Sequence, residues 1–130
     1  MKNLVFVYGS LKKSFHNHHY LENSKFICET STLDEFSMLD LKYYPAITYP
    51  VGNKSYRVLG ELYEVDNNTL KSLDQLEGYP NYYDRTVVGL GNNKQAYIYL
   101  MKNKVLEYFN INIDRALLTS NNKYISWEKK

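Results

Sequence analysis

Glu77 is the residue of this sequence best placed for proton-transfer chemistry, because it falls on the apolar side of a predicted helix. The helix is predicted over residues 67–77, since polar capping residues open it and Gly78 follows it. At about 100° per residue its leucines form one stripe, and Glu77 lies about 20° from Leu70 on that stripe. Asp74 lies about 100° from the stripe's centre, so we expect it at the margin or in water.

A carboxylate half withdrawn from water resists ionisation. Its pKa rises, and it becomes suited to exchanging protons near neutral pH. The alternative interpretation is that Glu77 frays outward at the helix end or caps a nearby loop amide.

A second candidate site is the glycine break that follows the first apolar run. Residues 4–8 are continuously apolar, which is typical of a strand buried on both faces, and the run ends at Gly9 and Ser10. A sharp turn there leaves successive amide NH groups unpaired, and such groups suit an anion or a developing oxyanion. The alternative is a plain turn at a strand end. A nucleotide phosphate loop is disfavoured, since its spaced glycines and its Gly-Lys-Ser/Thr ending are missing.

Five short segments, taken in chain order, carry a family resemblance. They are Val-Tyr-Gly-Ser-Leu ending at residue 11, Tyr-Pro-Ala at 44–46, Gly-Glu-Leu-Tyr at 60–63, Glu-Gly at 77–78 and Tyr-Asp-Arg at 83–85. Together they resemble the γ-glutamyl cyclotransferase-like family, and most closely its compact γ-glutamylamine cyclotransferase branch. The resemblance covers about residues 3–100.

The resemblance implies a site and a fold. The loop at residues 8–11 would bind the glutamyl moiety of a substrate, largely through backbone groups, and Glu77 would be the proton-transfer residue. The implied substrate-binding residues are Tyr8, Gly9, Ser10, Leu11 and Tyr83. Ser10 stands where many relatives carry threonine, which matters little if the main chain makes the contacts. The implied fold is α+β, a small mixed and mainly antiparallel β-barrel with few short helices.

The implied reaction is the conversion of γ-glutamylamines, such as γ-glutamyl-ε-lysine, to 5-oxoproline and a free amine. The α-amine of the substrate attacks the γ-carbonyl of the same molecule, so proximity supplies much of the entropic advantage of the reaction. Glu77 would take the proton of the α-ammonium and return it to the leaving amine. No cofactor or metal is required. A γ-glutamyl amino acid cyclotransferase and a non-catalytic barrel that binds a small ligand remain as alternatives, and the sequence does not choose the physiological substrate.

Other polar side chains have structural interpretations. Ser10 is not in a Gly-x-Ser-x-Gly elbow, and no histidine is clearly placed as its base, which disfavours a nucleophilic role. His16, His18 and His19 lie in a predicted loop that enters a short helix at about residues 17–22. No cysteine or acid accompanies them at a metal-ligand spacing, so we expect no metal site. A role at the pocket rim stays open for one of them.

Arg85 alternates to the same face as Tyr83 on a predicted strand. The two could contact a substrate carboxylate, but pairing of Arg85 with a neighbouring acid is favoured. Tyr97 and Tyr99 share a face of the next strand, where packing of the ring is the commoner role.

Composition favours a compact enzyme. The chain has 130 residues, 44% of them hydrophobic and 23% charged, which predicts a single domain over 1–130. The net charge is only +2, so no nucleic-acid partner is expected, although the 14 tyrosines would also suit a base-stacking barrel. The predicted partner is a small-molecule substrate, and the oligomeric state is not indicated.

One cysteine, Cys28, excludes an internal disulfide and fits a reducing compartment. It is expected to be a buried strand residue. The first apolar run is too short for a signal-peptide core, and no segment reaches membrane-spanning length. We therefore expect a cytoplasmic protein without membrane contact.

Strands dominate the elements that must position these residues. They are predicted near 3–8, 25–31, 36–41, 57–65, 83–90 and 95–101. The polar residues 91–94 indicate a hairpin that makes the last two strands antiparallel neighbours. Residues 51–55 indicate a turn between strands. The tail from residue 103 is expected to pack back on the domain, with Trp127 either anchoring the end or lying loose.

Overall fold

The computed structural model describes residues 3–128, which form seven strands, three short α-helices and one 3₁₀ helix. The strands are β1 (Asn3–Val7), β2 (Lys25–Asp40), β3 (Pro45–Thr48), β4 (Tyr56–Val65), β5 (Tyr83–Gly89), β6 (Gln95–Met101) and β7 (Tyr124–Ile125). The α-helices are α1 (Asn67–Glu77), α2 (Asn103–Tyr108) and α3 (Ile113–Ala116), and the 3₁₀ helix covers His18–Leu21.

The strands form one mixed sheet in the order β3-β2-β4-β1-β6-β5, with β7 paired to β4. The pairs β1–β6 and β4–β7 are parallel and the others are antiparallel. The α+β class and the mainly antiparallel sheet are therefore confirmed. The hairpin at 91–94 is confirmed too, since β5 and β6 pair from Tyr83 opposite Met101 to Gly89 opposite Gln95.

The predicted closure of the sheet into a barrel is wrong. β3 and β5 stand at the two ends of the strand order, and within residues 3–128 no ladder joins them. An isolated bridge between Thr32 and Leu90 links β2 to the end of β5 at one point. The sheet curls but remains open, because a single bridge does not make a ladder.

The two strands predicted at 25–31 and 36–41 are one long strand, β2. Register shifts between Phe26 and Cys28, and between Ser31 and Glu35, interrupt its pairing with β4. A bulge bends a strand and changes which of its side chains face inward, but the strand continues. The interrupted alternation is why the sequence pattern suggested two strands. Cys28 lies in the first half of β2 and is half-buried rather than buried.

The first strand is buried on both faces, as its apolar run predicted. Val5 and Val7 belong to one hydrophobic cluster, on which α1 packs Leu70 and Leu73. Phe6 and Tyr8 belong to a second cluster. β1 lies between β4 and β6, so its carboxyl end is placed in the middle of the sheet.

The tail packs back on the sheet, as expected. Val105 and Leu106 of α2 are buried in the first cluster, and Trp127 is buried in the second. The Lys12 ammonium donates to the carbonyl oxygen of Trp127 at 2.7 Å, which anchors the chain end beside the β1 loop. Among the helices of residues 3–128, none is long and apolar enough to cross a membrane.

Candidate active site

Glu77 is the last residue of α1, and the local sequence determines where it points. Asp66 caps the amino end of the helix by accepting from a backbone amide, while Leu70 and Leu73 pack into the core. Gly78 ends the helix in the left-handed region, at φ 65°. A Cβ there would lie 2.6 Å from the ring of Tyr82, so a residue other than glycine would clash at this helix end.

A cavity of about 650 Å³ opens at the carboxyl end of β1. It is lined by all six residues that the resemblance implied, namely Tyr8, Gly9, Ser10, Leu11, Glu77 and Tyr83. These residues come from the β1 loop, the end of α1 and the start of β5. The fold thus brings both sequence motifs to one cavity, although they lie about seventy residues apart.

The Glu77 carboxyl is half withdrawn from solvent. Burial raises its pKa from 4.5 to about 7. In residues 3–128 no side chain or amide donates a hydrogen bond to it, and no cation pairs with it. Near neutral pH the protonated and ionised forms are therefore both populated, as proton exchange requires.

Two buried tyrosines lie close to this acid. Burial raises the pKa of Tyr8, and the charge of Glu77 raises it further. Burial likewise raises the pKa of Tyr83, with smaller contributions from Tyr8 and Glu77. Both phenols therefore stay protonated and can donate. The Tyr8 hydroxyl already donates to the carbonyl oxygen of Tyr99 at 2.8 Å, whereas that of Tyr83 has no partner in the described residues.

The carbonyl groups of the β1 loop are used as acceptors, while its amide groups are unpaired. The Ser10 carbonyl accepts from the amide of Asn17 at 2.9 Å. The Leu11 carbonyl lies 2.9 Å from Nδ1 of His18, which carries the proton there. In the part of the chain that the structure describes, the amides of residues 9–11 make no hydrogen bond. Three unpaired amide donors therefore belong to residues that line the cavity.

Gly9 is required by a close approach between the β1 loop and the start of β3. A Cβ at this position would lie 2.6 Å from Cγ and 2.8 Å from Cδ of Pro45. Pro45 begins β3 and lines the same cavity. The contact explains why the Tyr-Pro-Ala segment belongs with the Tyr-Gly-Ser-Leu segment, since β3 holds the β1 loop in position.

The three histidines lie outside the cavity lining. His16 and His19 are exposed, and Nδ1 of His19 lies 3.1 Å from the carbonyl oxygen of His16. His18 instead holds the loop, as described above. The neighbouring residue that lines the cavity is Asn17. Its side-chain amide donates to Oγ of Ser10 at 2.9 Å, in addition to the backbone hydrogen bond between these two residues. Across residues 3–128 no group of histidine, cysteine and acid side chains is arranged to hold a metal.

Arg85 pairs with Asp74, so the geometry agrees with its structural interpretation. The guanidinium contacts one oxygen of the Asp74 carboxylate, and the Tyr99 hydroxyl donates to the other at 2.7 Å. The guanidinium also lies over the rings of Tyr79 and Tyr97, at 4.8 and 4.6 Å. Asp74 is therefore half-buried in a polar cluster rather than free in water, because β6 reaches the margin of α1.

Sequence reasoning missed much of the cavity wall. The missed residues are Asn17, Leu41, Tyr44, Pro45, Gln75, Tyr82, Met101, Val105, Phe109 and Ile111. Tyr44 and Pro45 stood in a quoted segment without an assigned role. The tail residues carried no motif, and their apolar spacing indicated only packing.

Comparison with known proteins identifies relatives along most of the chain. The family model "Gamma-glutamyl cyclotransferase, AIG2-like" matches residues 5–121. The Methanocaldococcus jannaschii protein named putative gamma-glutamylcyclotransferase is 46% identical over 101 residues, which cover 73% of this chain and 81% of that one. Gamma-glutamylaminecyclotransferase A of Danio rerio is 35% identical over 108 residues, covering 73% of this chain and 66% of that one.

A solved structure extends the likeness to the whole fold. The crystal structure of an AIG2-like protein of Mus musculus superposes with a TM-score of 0.72 and 25% identity, covering 99% of both chains. The family match includes β1 from residue 5, the β1 loop, α1 and β5, which supply the cavity residues implied by the motifs. The chain belongs to the gamma-glutamyl cyclotransferase, AIG2-like family.

Proposed function

We propose that this protein is a γ-glutamylamine cyclotransferase that uses Glu77 as its general base and then its general acid. The observation that carries the proposal is a half-buried carboxyl, with its pKa raised to about 7, in the same cavity as three unpaired loop amides. The name of the Danio rerio relative supports an amine as the leaving group. The names of other relatives support the γ-glutamyl bond more generally.

The loop and Tyr83 would hold the glutamyl moiety. Glu77 is the one charged side chain among the described residues of the cavity wall, so no cation is there for the substrate carboxylate. The amides of residues 9–11 supply donors of the required polarity, and the free hydroxyl of Tyr83 can add another. Donors in this loop also suit the oxyanion that forms at the γ-carbonyl.

Proton transfer completes the reaction. Ionised Glu77 takes a proton from the substrate α-ammonium, and the freed amine attacks the γ-carbonyl carbon to form the five-membered ring. The amide C–N bond then breaks as the Glu77 carboxyl returns the proton to the leaving nitrogen, and the second proton of the ring nitrogen passes to the same amine, which departs as an ammonium ion. The products are 5-oxoproline and the free amine, and the atoms balance without a redox partner or water.

The direct test measures 5-oxoproline released from γ-glutamyl-ε-lysine without added cofactor. We expect turnover by the natural sequence and a loss of about 10²–10⁴-fold in Glu77→Gln. Glu22→Gln is the matched control, because Glu22 is exposed and lies outside the cavity wall. It should keep the full rate.

Three outcomes would contradict the proposal. Full activity of Glu77→Gln would exclude the assigned role of this acid. Binding of γ-glutamyl compounds without any 5-oxoproline would instead indicate the non-catalytic barrel-like binding protein. Faster turnover of γ-glutamyl amino acids than of γ-glutamylamines would assign the chain to the amino acid branch.

A further inference from the structure

The Gly-Glu-Leu-Tyr segment at 60–63 carries part of the family resemblance, yet its residues have no role in the reaction described above. One of them, Glu61, is a buried acid. We propose that Glu61 is a positioning residue that holds the β1 loop ready for substrate, through a hydrogen bond from the amide of Lys13. Glu61 would thus serve the site of the proposed function, on which this inference rests.

Glu61 lies beside the point where the chain leaves the first strand. In the antiparallel register of β1 and β4 it is paired with Val7, the last residue of β1. Glu61 is 8% exposed, and its Oε1 accepts from the Lys13 amide and from the Tyr63 hydroxyl, both at 2.9 Å. A buried carboxylate is costly unless donors satisfy it, and hydrogen bonds to a carboxylate are stronger than those between neutral groups. The two donors therefore fix this carboxylate at the start of the loop.

One hydrogen bond ties the backbone of the loop to the sheet. The loop's carbonyl groups accept from residues 12–18, which belong to the same connection between β1 and β2. The Lys12 ammonium holds the tail, but through a flexible side chain. Among the described residues, only the Lys13 amide joins the backbone of residues 9–13 to a strand, through Glu61. Without this bond the loop could stay folded on itself and still move relative to the cavity.

Glu61 acts through the loop and does not touch the reacting atoms. It is not among the residues that line the cavity, and within residues 3–128 no cation pairs with it. The Lys13 ammonium lies over the ring of Phe26, 3.5 Å from its centroid, so Glu61 contacts the backbone of Lys13 and not its charge. The bonded amide lies two residues beyond Leu11. Fixing it limits how far the unpaired amides of residues 9–11 can move.

The expected kinetic signature of this role is a change in KM. A substrate that binds to a mobile loop must order the loop, and that entropic cost lowers its affinity. Once bound, the loop is ordered in both the ground state and the transition state, so kcat should change little. Loss of Glu61 should therefore differ from loss of Glu77, which lowers kcat.

The test compares three variants at position 61, with 5-oxoproline released from γ-glutamyl-ε-lysine as the readout. Glu61→Met keeps the length of the side chain without an acceptor, Glu61→Ala removes the acceptor by truncation, and Glu61→Gln keeps one acceptor oxygen. We expect KM to rise at least tenfold in the first two, with kcat lowered less than threefold. Glu61→Gln should keep KM within threefold of the natural value.

Glu64→Met is the matched control on the same strand. Glu64 also lies in β4, but three positions along a strand place it on the opposite face, and its side chain accepts no hydrogen bond from residues 9–13. It should keep KM within twofold. The fluorescence of Trp127 in urea checks that each variant is folded under the assay conditions.

The outcomes separate this role from the proposed function. If folded Glu61→Met and Glu61→Ala keep KM within twofold, Glu61 only stabilises the fold and the inference fails while the cyclotransferase stands. Failure of both variants to fold would overturn it too, because Glu61 would then be needed for folding itself. An equal rise of KM in Glu61→Gln would assign the effect to the charge and overturn the role of the hydrogen bond.

The natural sequence itself tests the proposed function. If it releases no 5-oxoproline, the cyclotransferase fails, and the Kd for γ-glutamyl-ε-lysine from calorimetry takes the place of KM. A rise in Kd of at least tenfold in Glu61→Met, with recovery in Glu61→Gln, would still support the positioning role. Absence of any binding by the natural sequence would overturn both.

Discussion

Replacing Glu77 by glutamine should stabilise the protein while it removes activity. The substitution keeps the size of the side chain and removes a charge that the fold holds away from water. Burial raises the pKa of this carboxyl from 4.5 to about 7. The folded state therefore binds the proton more tightly than the unfolded state, and ionisation favours unfolding.

The size of the effect follows from that difference in pKa and depends on pH. Below pH 4.5 the carboxyl is protonated in both states, so the two proteins should be equally stable. As the pH rises, the unfolded state ionises first, and the natural protein loses stability until the folded carboxyl also ionises near pH 7. The loss should be under about 1 kcal/mol at pH 5 and about 3 kcal/mol at pH 8.

Urea unfolding measures this difference, with the fluorescence of buried Trp127 as the signal. At pH 8 the unfolding midpoint of Glu77→Gln should lie about 1–2 M above that of the natural protein, and at pH 5 the gap should nearly close. Glu22→Gln is again the control, since it makes the same change at an exposed acid outside the cavity wall. Other titrating groups are shared by the proteins and cancel in the comparison.

Two results would refute the reasoning. A gap that does not change between pH 5 and pH 8 would mean that the carboxyl is as well solvated in the folded protein as in the unfolded chain. A lower stability of Glu77→Gln at pH 8 would mean that the ionised acid makes a favourable contact. A matching kinetic result is expected, because kcat/KM should rise with pH through about 7 as the base ionises.

Gly9→Ala should lower kcat/KM and destabilise the fold by about 1–3 kcal/mol, because its Cβ would lie 2.6 Å from Cγ of Pro45. Adding Pro45→Ala should recover part of both losses in kinetic and urea measurements, and a failure to recover would exclude this contact as the cause. Ser10→Ala should keep at least a tenth of the 5-oxoproline rate, since the loop is proposed to act through its amides; complete loss would assign a role to the hydroxyl. Asp74→Asn should destabilise by about 1–2 kcal/mol in urea, because it weakens a half-buried ion pair with Arg85. Its rate should fall less than tenfold, and a loss equal to that of Glu77→Gln would place the ion pair in the catalytic step.

The parts of the site that depend on local rules could be predicted from the sequence. The bounds of α1 agree at both ends with the predicted 67–77, because the cap at Asp66 and the stop at Gly78 are local signals. The burial of β1 on both faces also follows from a continuous apolar run. Placement of Glu77 on the leucine stripe needed only the helical period.

The missed parts depend on contacts between distant segments. The bulges that keep β2 continuous are set by its register with β4, which no local pattern encodes. Pro45 contacts Gly9 across 36 residues of sequence, so its role appears only when β3 and the β1 loop are brought together. One part of the cavity wall, Val105, comes from α2, a helix of six residues whose few apolar positions fit packing and ligand contact equally well. The prediction of a closed barrel was wrong because pairing between the edge strands β3 and β5 depends on the curvature of the whole sheet, which no local pattern encodes.

The proposed catalytic role of Glu77 accounts for its burial better than a role in binding alone. A neutral glutamine or leucine at this position would line the same cavity without the loss of about 3 kcal/mol that an ionised acid incurs there. A protein that only bound a γ-glutamyl compound would also suffer from the repulsion between this acid and the substrate carboxylate. Both penalties are useful to a base, since they are relieved when Glu77 takes the proton of the α-ammonium. The stability gained and the rate lost in Glu77→Gln should therefore appear together, and a variant that gains stability without losing rate would leave the acid without a catalytic explanation.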